Sequence, residues 1–209
     1  MLLKQKEFLG GGTVLLLFAA FLILFFQQTD PGKKGNSYSV RFVRENVSIT
    51  IAPGLAEVSG CYFMNNARTS TRPVPLYYPF PVSSTSTFPD SIAVFLISPQ
   101  GQKTISFRIA ADRQGIYFSI FLFPQSTTEF QVYYRQRIEG KFVRYILRST
   151  RIWGYPLQEA KFVIRVPKSV EKVRFSLQPD LKTVEKNCIV YQIIRRNFLP
   201  KEDLLIWWQ

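Results

Sequence analysis

Histidine is absent from this chain of 209 residues. That removes the side chain most often used as a general base near neutral pH, and the commonest zinc ligand. Cysteine occurs only at Cys61 and Cys188. Two cysteines without histidine do not make a structural zinc site. Acids are scarce: 14 Asp and Glu stand against 27 Lys and Arg, a formal net charge of +13. They are also dispersed, and Glu202-Asp203 is the only adjacent pair. There is no Gly-rich phosphate loop, no Gly-x-Ser-x-Gly elbow and no calcium loop. No stretch after residue 30 keeps a 3.6-residue apolar period. These absences point away from catalysis and from any metal or cofactor, and away from a helical domain. An enzyme using dispersed carboxylates is the remaining catalytic reading.

What is present begins with an uncharged apolar run, Phe8–Phe26, after a short basic start at Lys4 and Lys6. At about 1.5 Å per residue such a helix crosses about 30 Å of hydrocarbon. Bulky Leu24-Phe25-Phe26 stand where a signal peptidase wants small residues. No cysteine follows for a lipid anchor. The expectation is an uncleaved single-pass anchor in residues 1–28, a linker over 29–37, and a main domain over 38–209. The domain is expected outside the cytoplasm, tethered to the cell membrane.

The rest of the chain reads as strands. Val47–Ile51 and Leu55–Met64 flank the turn Ala52-Pro53-Gly54. Ile105, Phe107 and Ile109 alternate with polar residues, as expected of a half-buried strand that pairs with Ser91–Ile97. Ile116–Phe123 is apolar on both faces, which predicts a strand covered on both sides. Glu129–Arg137 and Phe142–Arg148 suggest a hairpin across Glu139-Gly140. About a dozen short strands at this spacing predict an all-β, immunoglobulin-like β-sandwich, with a second subdomain from near residue 140 as one option.

Three motifs offer candidate interaction residues. Tyr77, Tyr78 and Phe80 lie in a proline-rich segment that belongs at a sheet edge, as an aromatic docking surface or as core. Arg148, Arg151 and Trp153 combine residue types favoured at binding hot spots, although Trp153 would equally plug the end of a sandwich. Trp207 and Trp208 end an apolar strand that either completes a sheet of this domain or adds to a partner. Cys61 and Cys188 would close one long loop in an oxidising compartment, or remain two separate thiols. Asn46-Val47-Ser48 is a glycosylation sequon within a strand.

The segment Val58-Ser59-Gly60-Cys61-Tyr62-Phe63-Met64-Asn65, followed by Tyr78-Pro79-Phe80-Pro81-Val82, resembles the vault and inter-alpha-trypsin-inhibitor type domain. It is also similar to uncharacterised bacterial exported, membrane-anchored proteins with an immunoglobulin-like sandwich. Arg144–Leu147, Trp153-Gly154, Ala160–Pro167, Phe198-Leu199-Pro200 and Asp203-Leu204 resemble the second half of the latter. The resemblance implies a β-sandwich with an interaction role and assigns no site residues. The expected partners are the membrane and another envelope protein or complex. Scattered basic residues make an anionic envelope polymer or lipid head groups the alternative partner. Nucleic acid is not expected, because no recognition motif is present.

Overall fold

The computed structural model describes residues 40–209. The apolar run Phe8–Phe26 and the linker at 29–37 lie outside the described residues. Among the described residues no helix is long and apolar enough to cross a membrane.

The structure opens with a hairpin. Strand β1 (Val40–Ala52) turns at Pro53-Gly54 into β2 (Leu55–Asn66). Gly54 takes φ 69°, a left-handed conformation that side chains other than glycine rarely adopt. β1 is longer than the sequence suggests, because a bulge joins its two apolar segments. Phe42 pairs with Met64 and Arg44 with Phe63, leaving Val43 without a partner. The extra residue resets the alternation, so Phe42 and Glu45 both face the interior.

The chain continues through β3 (Arg72–Pro79), β4 (Ser91–Ser98), β5 (Gly101–Thr104), β6 (Arg108–Ile109), β7 (Gly115–Leu122) and β8 (Ser126–Arg137). Then come β9 (Phe142–Tyr145), a 3-10 turn at Arg148–Trp153, β10 (Leu157–Pro167), β11 (Arg174–Phe175), β12 (Leu181–Val184), β13 (Cys188–Phe198) and β14 (Leu204–Trp207). The all-β reading is therefore right.

One layer is an eight-stranded sheet in the order β12-β13-β10-β1-β2-β8-β4-β5. Two three-stranded sheets, β3-β7-β6 and β11-β14-β9, cover its inner face. Phe118, Tyr78 and Phe80 pack from the first onto Phe130, Tyr62 and Tyr134. Tyr145 and Phe175 pack from the second onto Phe162 and Tyr191. The layers are broader than the about seven to nine strands of an immunoglobulin domain. β10 runs parallel to β1, with Val47 opposite Phe162, so strands after residue 140 complete a sheet begun by the first half.

Four local expectations change. Ile105, Phe107 and Ile109 do not make one strand: β5 ends at Thr104 and stays with β4, while β6 crosses to β7 in the other layer. Their alternation is shared between two sheets. The expected hairpin across Glu139-Gly140 is not formed, because β9 leaves β8 and pairs with β14. β7 is central in its sheet but covered on one face only. Its alternate residues Tyr117 and Phe121 are 44% and 57% exposed. The stretch Asn65–Pro75, whose Ser, Thr, Pro and Arg content suggests a loop throughout, is strand at both ends, with the loop confined to residues 67–71.

Candidate interaction surfaces

The candidate residues separate into different places. Tyr78 and Phe80 are core. The Tyr78 ring meets Tyr62, Phe80 and Tyr134, and Phe80 is buried. Tyr77, one residue away, points outward and lies 4.9 Å from the ring of Tyr117. Partial burial, with Asp112 and Tyr117 nearby, pushes its hydroxyl up to about 12. Alternation along β3 thus divides the motif between core and surface.

Pro79 lies on an edge strand, one of the places that the sequence allowed for its motif, and Pro73 and Pro75 belong to the same strand. The Phe80 N–H bonds Gln114 across toward β7, at 2.8 Å. Residues of the opposite parity then direct their backbone nitrogens to the free edge of β3. Three of these are Pro73, Pro75 and Pro79, which carry no N–H. Strand addition at this edge is blocked.

Trp153 packs against the core, 6.2 Å from Phe42. Gly154 follows at φ 75° and closes the turn onto the Arg151 carbonyl. The Arg151 side chain remains exposed. Arg148 is bound to Asp203, with Nε 3.4 Å from Oδ2. Asp203 is the organising acid of this corner. Its Oδ2 lies 2.9 Å from Arg144 Nε, and its Oδ1 accepts the N–H groups of Leu147 and Arg148, each at 3.0 Å. Burial alone would raise this carboxyl. The two backbone donors and both arginines outweigh it and hold the group below its usual range. Only the Glu202-Asp203 pairing drew notice in the sequence, and its partners lie more than fifty residues away.

The terminal segment completes a sheet. β14 lies between β11 and β9, with Leu204 and Ile206 inward and Trp207 half-exposed on the opposite side. Trp208 packs against the core. The bridge weighed between Cys61 and Cys188 is not formed; both thiols are free. Cys61 lies on β2 and Cys188 on β13, three strands apart in one sheet. That separation is about 14 Å at the usual strand spacing, beyond the about 7 Å a disulfide spans. Burial pushes the Cys61 thiol up, and neighbouring Glu129 adds to the shift.

A polar cluster that the sequence reading missed sits where the three sheets meet. The Tyr62 hydroxyl on β2 bonds the hydroxyls of Tyr78 on β3, at 2.7 Å, and Tyr145 on β9, at 2.9 Å. Glu45 on β1 is buried beside them, and its Oε1 has no hydrogen-bond partner. Burial raises the Glu45 carboxyl to about 8, partly offset by the Tyr145 hydroxyl. The signal was Gly60. A Cβ there would strike the Tyr62 ring, so glycine lets that ring lie back along its own strand and stack on Phe130.

The outer face of the eight-stranded sheet is a half-exposed polar lattice. Gln131 bonds Ser59 at 2.7 Å and Gln102 at 3.2 Å. Arg165 bonds Ser48 at 2.8 Å, and Tyr133 reaches Glu57 at 3.4 Å. The Arg44 guanidinium lies 4.0 Å from the centre of the Phe63 ring. Among the described residues, no group of three or more His, Cys, Asp or Glu is placed to hold a metal.

No family model matches the chain, and no curated protein matches it in sequence. Among solved structures it is similar to a candidate nutrient-binding protein from Legionella pneumophila. The two share 14% identity and a TM-score of 0.60, over 81% of this chain and 67% of that one. An M1 zinc metallopeptidase from Deinococcus radiodurans aligns over 81% of this chain and 42% of its own, at 13% identity and a TM-score of 0.47. A candidate protease from Parabacteroides distasonis aligns over 82% and 40%, at 11% identity and 0.49. The chain thus spans less than half the length of either peptidase. The first likeness shows a shared fold alone, a β-rich architecture known among solved proteins.

Proposed function

We propose that the chain is a membrane-tethered, non-catalytic interaction module. Phe8–Phe26 is its single span, and its immunoglobulin-like sandwich stands outside the cytoplasm and engages another protein of the same envelope. The observation that carries this reading is the outer face of the eight-stranded sheet. It offers tyrosine and arginine, residue types enriched at protein interfaces, set among hydrogen-bonded glutamine and serine side chains. Its side chains already bond one another across β10-β1 and β2-β8-β5. A partner would meet groups fixed before docking, which lowers the entropic cost of association. The resemblance to exported, anchored bacterial proteins belongs to the same proposal.

The test is extraction of the full chain from its native membrane in mild detergent, with a photo-crosslinker replacing Tyr133. A defined assembly cross-linked through that position is the expected result. A monomer without cross-linked protein would overturn the proposal.

A further inference from the structure

Exposed aliphatic side chains are scattered over the described surface, whereas the exposed aromatic ones are clustered. The exposed aromatic residues of the described region, Tyr117, Phe121 and Phe123, all belong to β7 and the residue just after it, at 44%, 57% and 54% exposure. With exposed Ser119, Tyr117 and Phe121 form an outward row on β7, and Phe123, one residue past the strand, borders a groove lined by Leu96, Pro99 and Thr127 at the end of the eight-stranded sheet. Tyr77, Pro73 and Pro75 of β3 stand beside that row in register. Basic groups close both ends. Arg108 lies over the Tyr117 ring at 5.4 Å, and Arg113 follows in the next turn, beside the one acid there, Asp112. At the far end, Arg68 adjoins Phe123 through the Asn66 side chain. That buried amide takes the Arg68 N–H at 3.1 Å and donates to the Phe123 carbonyl at 3.0 Å.

A row of rings ending in arginines is an arrangement suited to a lipid–water interface. Aromatic rings settle at head-group level, and arginines reach anionic phosphates while their stems stay in the apolar zone. The prolines of β3 block strand addition at that edge of the sheet and leave its face open. The chain carries +13, which favours an anionic surface. The linker at 29–37 extends at most about 30 Å, so the apolar run would hold the sandwich at high local concentration near a bilayer. Weak contacts then suffice.

We infer that the outer face of the β3-β7-β6 sheet docks flat on an anionic lipid bilayer through Tyr117, Phe121 and Phe123, with Arg68 and Arg108 on lipid phosphates. The inference rests on the proposed tether. It leaves the eight-stranded sheet, on the opposite side of the sandwich, facing away from the membrane and open to a protein.

The test uses the full chain, with Cys61→Ser and Cys188→Ser, in nanodiscs of phosphatidylcholine with or without phosphatidylglycerol. A single cysteine is placed at Ser119→Cys on the aromatic row, or at Lys161→Cys on the large sheet. Labelling by a water-soluble maleimide is then timed. Phosphatidylglycerol should slow labelling at position 119 by about tenfold or more, and molar salt or Arg68→Glu with Arg108→Glu should restore it. Position 161 should label at one rate throughout. Equal rates at position 119 in both discs would overturn the inference, as would a native-membrane cross-link from position 121 to a protein. Release of the chain from the discs in molar salt would instead sink the tether, while low-salt protection at position 119 would still decide the docking. Unchanged near-ultraviolet circular dichroism certifies each variant as folded.

Discussion

Two buried carboxyl groups in this sandwich shift in opposite directions. Glu45 and Asp203 are 2% and 5% exposed. Asp203 receives two backbone N–H groups and two arginines, and its acidity is strengthened. Glu45 has an Oε1 with no partner, and its carboxyl rises to about 8. The seam at Glu45 is built from ring hydroxyls bonded to one another, of which only that of Tyr145 offsets part of the effect of burial. The corner at Asp203 is built from a tight turn whose N–H groups need an acceptor. Donor supply, together with depth, decides which form of a buried acid survives.

The two acids therefore give stability opposite dependences on pH. For Glu45 the folded value, about 8, lies above the reference 4.5. The folded state holds the proton more tightly, so stability is full below about 4.5 and falls as pH rises toward 8. The loss reaches as much as about 4 kcal/mol at pH 8. Glu45→Gln should remove this slope: melts of the full chain in neutral detergent would show the variant more stable than the parent at pH 8 and close to it at pH 4. Parallel curves would refute the assignment.

Asp203 runs the other way. Its folded value lies below 3.8, so its contribution is present above that pH and is lost as the acid titrates. Asp203→Asn should cost about 2–3 kcal/mol at neutral pH, since the charge is lost and a carboxylate acceptor is replaced by an amide. The difference should shrink as pH falls below the reference value and vanish only below the lower, folded value. Chemical denaturation at pH 7 and pH 3 separates these outcomes, and a pH-independent difference would show that the asparagine is simply a poor fit.

Gly60→Ala attacks the comparison from the packing side. A Cβ would displace the Tyr62 ring, whose hydroxyl ties β3 and β9 to the large sheet. A cost of about 1–3 kcal/mol is expected for overpacking. Moving that ring would also admit water to Glu45, so the variant should lose part of the alkaline destabilisation seen in the parent. Hydrogen exchange across β1 at pH 6 and pH 8 reads both effects.

How far the sequence foretold these features depends on the range of the interaction. The Pro53-Gly54 hairpin and the edge position of Pro79 are local, and each is legible from adjacent residues. The three-sheet division was not. Ile105, Phe107 and Ile109 alternate without a break, yet the chain changes layers between Thr104 and Arg108. Periodicity records which side is apolar, not which sheet supplies the partner. Phe142–Tyr145 pairs with a strand some sixty residues on, and no turn residue announces that. The Tyr77–Phe80 motif held both readings weighed for it, because strand parity sends Tyr78 and Phe80 inward and Tyr77 outward. Glu45 escaped notice because one acid in an otherwise alternating strand looks like a solvent-facing residue until the bulge at Val43 and the three facing tyrosines are seen.

Asp180 separates donor supply from depth most cleanly. Like Asp203, it takes a backbone N–H, from Ile194 at 2.6 Å, and an arginine, with Arg195 Nη1 at 2.9 and 2.8 Å from its two oxygens. That backbone bond, with the Arg195 contact, holds its carboxyl below the usual range as well. Its side chain, however, is 49% exposed. Water can replace each lost donor, and salt screens the pair. Asp180→Asn should therefore cost no more than about 0.5–1 kcal/mol, against the larger loss at Asp203 with similar partners. If the two substitutions cost the same in one denaturation series, desolvation contributes nothing to the worth of these contacts, and the account given for Asp203 fails. If Asp180→Asn is nearly silent, the same donors matter at Asp203 because nothing else can reach that carboxylate.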